Sequence, residues 1–300
     1  MKRTNLLKTV ALAAALAATA TAAQAHRGWL LPSATVLSGN EPWVTVDAAI
    51  SNDVFYFEHN AMRLDNLVLF SPDGSPLKAE NPSTGRYRSS FDLKLSQKGT
   101  YKIAMVADAM MASYKVGSET KRARGTAESL AKEIPAGATD VNVSQNISRN
   151  ETFVTSGKPS SEVLKPTGRG LELVPVTHPN DLIAGEPAKF RFLLDGKPAA
   201  GINVTVIPGG IRYRDKLGEQ KFVADANGEV NIKWATAGMY WLSAAPEREA
   251  GMQGMGGPDG PGAGASAPQG ASPRPAGPVG TLAQPIRRAS YTATLEVLPP

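Results

Sequence analysis

Apolar residues recur at every second position in segment after segment of this chain. Val44, Val46, Ala48 and Ile50 fall on one side of residues 43–50. Phe91, Leu93 and Leu95 do the same within 88–95, and Tyr101, Ile103 and Met105 follow Lys98-Gly99. A period of two is the side-chain repeat of a strand with one buried face, and Gly, Pro, Asn and Asp at the ends mark turns. The short apolar run 66–70 ends in Ser71-Pro72-Asp73-Gly74, such a turn. In the second half the candidate strands are 170–176, 188–194, 202–207, 221–224, 229–234 and 239–244. Asp195-Gly196, Gly209-Gly210, Asn227-Gly228 and Ala237-Gly238 separate them. Asn-Gly between apolar runs is a strong hairpin signal. Strands this short and evenly spaced predict an all-β fold built as two consecutive β-sandwich domains.

Two stretches break the rhythm. Within 117–137, Thr126 precedes a segment to Glu133 with helical character, which predicts one short helix in the first domain. The basic run Lys121-Arg122-Ala123-Arg124 beside it reads as a solvated face. Residues 140–156 resume as strand. Residues 157–170 are rich in Gly, Pro, Ser and Lys, which places the domain boundary between an N-terminal sandwich, 26–160, and a C-terminal one, 165–300. Residues 251–280 hold 10 Gly and 6 Pro, a composition that cannot bury enough apolar surface to order itself. A last alternating segment, 290–298, follows it, so the expectation is a disordered loop, 249–282, between the last two strands of the second sandwich.

Residues 1–25 read as a cleavable secretory leader. Lys2, Arg3 and Lys8 are positive, 9–22 is an apolar Ala-rich run, and Ala23-Gln24-Ala25 is a small-x-small cleavage site. Cleavage there makes His26 the first residue. The 32 basic residues less the three in the leader leave 29 against 27 acidic, a net charge of +2, so no nucleic-acid partner is expected. No later run reaches 18 consecutive apolar residues, so the chain is not expected to embed in a membrane. The absence of cysteine excludes disulfides, thiol catalysis and Cys-ligated metals. Together these predict a periplasmic protein. Nucleophile elbow, P-loop, dinucleotide fingerprint and HExxH are all absent, so no enzyme is expected. A histidine brace with oxidative copper chemistry is the one catalytic alternative.

The residues that point to chemistry are the three histidines. An α-amine and the imidazole Nδ1 of an N-terminal His close one chelate ring, and both lose their protons near pH 7 at modest cost. A second imidazole completes a tetragonal nitrogen site of the kind that suits Ni(II) or Cu(II) over Mg(II) or Ca(II). That imidazole is His59 or His178; His59 lies in the same expected domain as His26 and is preferred. Glu58 and Asp53 are the candidate oxygen donors. His178, before Pro179, reads first as a structural hydrogen-bonding residue and second as a ligand. Met110-Met111 and Met252 with Met255 are softer donors. Phe55-Tyr56-Phe57 reads as a doubly buried strand, an interface or a pocket wall. Trp29 and Trp43 are candidate core anchors, and the Gly209–Asp215 segment with its two arginines a hairpin loop or anion site.

Several segments resemble the DUF4198 family. They are the opening His26-Arg27-Gly28-Trp29-Leu30-Leu31-Pro32, a central block from Gly170-Leu171-Glu172-Leu173 through Thr177-His178-Pro179-Asn180-Asp181 to Gly185-Glu186, and Asp195-Gly196-Lys197-Pro198 with Asn227-Gly228. Tyr291 to Val297 fits its ending. The resemblance implies an exported β-rich protein whose second sandwich is transthyretin- or immunoglobulin-like. Some members are described as periplasmic components of nickel or cobalt uptake, and some accompany TonB-dependent receptors. The function so implied is a periplasmic binding protein for Ni, Co or Cu, or a complex of one, serving an inner-membrane transporter or TonB-dependent receptor. The alternative is a non-catalytic interaction module that docks a membrane receptor or a carbohydrate.

Overall fold

The computed structural model describes residues 26–246 and 279–300. Residues 1–25, read above as a leader, and most of the Gly- and Pro-rich stretch, with Met252 and Met255, lie outside the described residues. The first half supplies β1 (Arg27–Pro32), β2 (Val36–Leu37), β3 (Trp43–Ser51), β4 (Asn60–Ala61), β5 (Leu67–Phe70), β6 (Pro76–Leu77), β7 (Glu80–Thr84), β8 (Ser89–Lys94), β9 (Gly99–Val116), β10 (Glu119–Gly125), one helix, α1 (Ala127–Glu133), and β11 (Thr139–Ser156). The second half supplies β12 (Leu171–Pro175), β13 (Pro187–Leu194), β14 (Lys197–Pro198), β15 (Asn203–Pro208), β16 (Gln220–Val223), β17 (Glu229–Lys233), β18 (Gly238–Ala245) and β19 (Ile286–Val297).

The fold is all-β, and one sheet runs through both halves. Its ten strands include the order β16-β15-β18-β19-β11-β9-β5-β6, with β10 on β9 and β2 on β11. A five-stranded sheet, β1-β3-β8-β7 with β4 on β3, covers one face of it in the first half. A four-stranded sheet, β12-β13-β14 with β17 on β13, covers the other half. The alternation seen in sequence becomes the packing. Val44, Val46, Ala48, Phe91 and Leu93 point from the five-stranded sheet onto Leu69, Tyr101, Ile103 and Val154 of the long one. In the second sandwich Phe190, Phe192, Leu171 and Ile232 face Val204, Val206, Leu242, Tyr291 and Leu295.

The central joint is β19, which pairs antiparallel with β18 and parallel with β11. A buried polar cluster lies along it. The Tyr291 hydroxyl donates to Glu151 Oε2 at 2.9 Å, and Arg149 stands 3.6 Å from Glu151 and 3.4 Å from Glu172. Glu172 also accepts from the amides of Thr167 and Gly168. Burial, and then the Glu151 carboxylate, hold the Tyr291 phenol well above its usual pKa. Buried carboxylates are retained where donors surround them, and these have four kinds: guanidinium, phenol, hydroxyl and amide.

Four local features differ from the sequence reading or refine it. Asp195-Gly196 does make the β13–β14 hairpin, with φ of 50° and 77°. Asn227-Gly228 makes no hairpin: β16 pairs β15 in the long sheet, whereas β17 pairs β13 in the small one. Asp225 Oδ1 accepts from the amides of Asn227 and Glu229, and this side-chain turn carries the chain from one layer to the other. Trp43 is no core anchor; it is 48% exposed at the start of β3. Residues 279–282, expected within the loop, are docked on β11, with Gly280 bonded to Asn142 and Val143 and Leu282 packed near α1. The helix itself forms as expected, with Thr126 and Ser129 in a reciprocal capping box and Leu130 buried.

Candidate metal site

β1 carries His26 to the edge of the five-stranded sheet. Its register with β3 places Arg27 opposite Ser51, and β3 in turn pairs Ile50 with Asn60 of β4. The two strands flank β3 and bring the residues that precede them together. The His26 and His59 rings stack with centroids 3.8 Å apart and planes 10° from parallel. His26 is exposed and His59 half-buried.

The loop between β3 and β4 is tightly specified. Trp29 Nε1 donates to Ser51 Oγ at 2.8 Å, and Ser51 Oγ donates to the Asp53 carbonyl at 2.5 Å. Glu58 Oε1 accepts from the amides of Asn52 and Asp53, at 2.8 and 3.0 Å. Glu58 therefore closes the loop that presents His59, and that oxygen is committed to backbone. Asp53 sits in the same loop, half-buried. Among the described residues, no three His, Asp or Glu side chains converge as a ready cation cage. The donors that do meet are two imidazoles.

The strand carrying His26 is anchored to the second sandwich. Trp241 Nε1 donates to the Gly28 carbonyl at 3.0 Å, the Arg27 guanidinium lies 5.9 Å from the Trp241 ring, and Arg27 Nη1 bonds the Asn52 carbonyl. Below them Trp29, Ala49, Val54, Ile207 and Trp241 form a separate apolar cluster between the five-stranded sheet and the second sandwich. Phe55-Tyr56-Phe57 is the rim of this cluster rather than a strand. The chain turns there, with φ of 62° at Phe55, and Phe55 and Phe57 pack on Trp29 at 5.6 and 5.3 Å.

His178 is not part of the pair. The Asn180 amide donates to its Nδ1 at 3.1 Å, which leaves the ring proton on Nε2, 3.1 Å from both the Ser160 carbonyl and Thr100 Oγ1. Nε2 thus joins the 158–161 loop to β9, and Nδ1 closes the turn from His178 to Asn180. Burial lowers its pKa, against the Ser160 carbonyl and Asp181, which raise it. Met110 and Met111 lie in the β9 strand beside β10, away from the histidines in the sheet order. In the Gly209–Asp215 loop Arg214 bonds the carbonyls of Pro208, Gly209, Lys216 and Leu217, and Arg212 lies over the Tyr56 ring at 3.9 Å.

Three residues that meet two positions along the chain from His26 carry no signal that pattern reading could use. They are Gly28, Met62 and Asn150. A Cβ on Gly28 would lie 2.9 Å from the Met62 methyl and 3.6 Å from the Asn150 amide nitrogen.

Comparison with known proteins leaves the chemistry open. No curated protein matches the chain. Among solved structures, a DUF4785 family protein from Legionella pneumophila matches at 7% identity and a TM-score of 0.23, over 72% of this chain and 50% of that one. The chain thus spans about half the length of that protein. The D0-D1 domain of intimin matches at 12% identity and a TM-score of 0.21, over 90% and 97%. The human OSCAR ligand-binding domain matches at 15% and 0.18, over 75% and 93%. Residues 23–248 match the family described as "Domain of unknown function (DUF4198)". The chain belongs to the DUF4198 family.

Proposed function

We propose that this chain is an exported protein that captures a divalent transition metal (Ni, Co or Cu) in the periplasm and hands it to an uptake system. The observation that carries this reading is the contact of His26 with His59, two imidazoles brought to 3.8 Å from positions more than thirty residues apart. Removal of the leader exposes the His26 α-amine and adds a third nitrogen beside them. Near-parallel stacked rings share no in-plane point, and a metal binds imidazole in the ring plane. Loading therefore turns the His26 ring out of the stack while β1 stays fixed by Trp241 and Ser51. Capture needs coordination and exchange, not group transfer, and no catalytic motif accompanies the pair. A partner transporter or receptor would take the metal from the exposed His26 side.

The test is calorimetric titration of Ni(II), Co(II) and Cu(II) into the processed protein, its His59→Ala variant and its His178→Ala variant. The reading expects one tight site in the first and third and a loss of at least tenfold in the second, the cost of removing one of few ligands. Equal binding in all three would refute it.

A second reading is an interaction module that docks a membrane receptor or a carbohydrate. Tyr213, 90% exposed and next in sequence to the Arg212 that lies over Tyr56, favours it, as does the open cleft of about 410 Å³ lined by Leu31, Phe55, Gly209 and Tyr240. Among the described residues no helix is long and apolar enough to cross a membrane. Absent metal binding with retained binding to bacterial envelopes, lost on Tyr213→Ala, would favour this reading.

A further inference from the structure

The geometry points to Met62 as a thioether donor to the His26–His59 site, which makes the metal copper and lets the site hold Cu(I) as well as Cu(II). This rests on the metal-capture reading above and narrows it.

Three placements carry it. First, alternation puts His26 and Gly28 on the same face of β1. Gly28 pairs with Ile50, Ile50 with Asn60, and the Met62 amide donates to the Ala48 carbonyl at 3.2 Å. Asn60 and Met62 therefore share that face from the other side of β3. Second, the Met62 methyl stands 2.9 Å from where a Gly28 Cβ would be, so only glycine at 28 lets this side chain, packed at the margin of the first core, lie across the strand two residues from His26. Met62 is three residues after His59, so both imidazoles are chain neighbours of the two residues that make this contact. Third, the buried Asn150 side chain reaches the same spot, 3.6 Å from that Cβ position, and its Oδ1 has no hydrogen-bond partner. A buried acceptor without a donor is costly, and an amine or a metal-bound water above Gly28 would satisfy it.

The donor set then decides the metal. Imidazole and amine nitrogen suit Ni(II) and Cu(II) alike, but a thioether is a soft ligand that selects Cu(I). Methionine has three rotatable bonds, so its sulfur can turn toward His26 without moving the backbone. None of the Met pairs evident in the sequence is needed for this.

The experiment is anaerobic Cu(I) competition against bicinchoninate and Cu(II) titration, on processed protein, Met62→Leu and His59→Ala. Leucine keeps the volume and apolar character of the site, so the variant should fold. The expected result is about a tenfold or greater loss of Cu(I) affinity in Met62→Leu with Cu(II) affinity changed by less than about threefold, and loss of both ions in His59→Ala. Unchanged Cu(I) affinity in Met62→Leu, with His59→Ala still defective, overturns the role of Met62 and leaves the histidine site standing. No uptake of either ion by the wild type overturns both. If Met62→Leu fails to fold, X-ray absorption of the Cu(I)-loaded wild type decides: a sulfur scatterer supports the inference, and a shell of nitrogen alone overturns it.

Discussion

Tyr291→Phe deletes one oxygen from the joint between the sandwiches, and its cost can be worked from the structure. Tyr291 is fully buried and donates to Glu151 Oε2 at 2.9 Å. Glu151 is 3% exposed, and Arg149 approaches it at 3.6 Å, a looser contact than the phenol makes. Phenylalanine fills the same space, so almost no cavity opens. What is lost is a hydrogen bond to a buried charge, about 1.5–3 kcal/mol. For a chain of this size that corresponds to a melting temperature lower by roughly 3–10 °C. Urea unfolding at pH 7 of wild type, Tyr291→Phe, Glu151→Gln and the double variant would measure it. A cycle should return a coupling energy of about 1–2 kcal/mol, since the penalty comes from the carboxylate left without its phenol. A loss below about 0.5 kcal/mol in the single variant, or additive effects in the cycle, would show that the cluster does not hold β19 to β11 as described.

Two further expectations follow from other parts of the fold. The lowered pKa of His178 means that the unfolded chain binds its proton more tightly than the folded one. Its contribution is fully present above about pH 6.5, the unfolded value, and is lost as the pH falls through the lower folded value. Stability measured by urea from pH 8 to pH 4.5 should therefore fall more steeply below pH 6.5 in wild type than in His178→Gln; parallel curves would contradict the assignment. Gly228→Ala should cost about 2–4 kcal/mol, because φ there is 74° and a Cβ would collide with the Phe192 carbonyl oxygen and lie 2.9 Å from the Ala199 nitrogen. Thermal unfolding that differs from wild type by less than a degree or two would refute that reading of the turn.

The parts of the fold legible in sequence are those where burial is one-sided. Val44-Val46-Ala48 and Phe91-Leu93-Leu95 alternate because one face meets the opposite sheet and the other meets water, and both runs place those residues in the core. The strand β1 is hidden from pattern reading because both its faces are covered: Leu30 enters the first core, while Trp29 enters the cluster against Trp241. Asn227-Gly228 has hairpin composition, yet a turn that changes sheets needs the same left-handed glycine, so composition does not distinguish the two. The continuity of the long sheet is illegible because the parallel pairing of β11 with β19 joins residues more than a hundred positions apart. At the candidate site the same division holds. His26 and His59 are evident as residue types with few rivals, three histidines in all. Glu58 reads as a ligand because a carboxylate has two oxygens to offer; folding commits one of them to the backbone amides of Asn52 and Asp53. Gly28, Met62 and Asn150 are ordinary residues made special only by register.

The central claim is a metal held by the amine and ring of His26 together with the ring of His59. It is tested most directly by calorimetric titration of Cu(II) and Ni(II) into protein whose mass shows His26 as the first residue, beside the same protein acetylated on the His26 amine. The account predicts tight binding by the first and clearly weaker binding, by about tenfold or more, by the second, because acetylation removes the amine without supplying another and so opens the chelate ring. Equal binding by the two, or none by either, would contradict it.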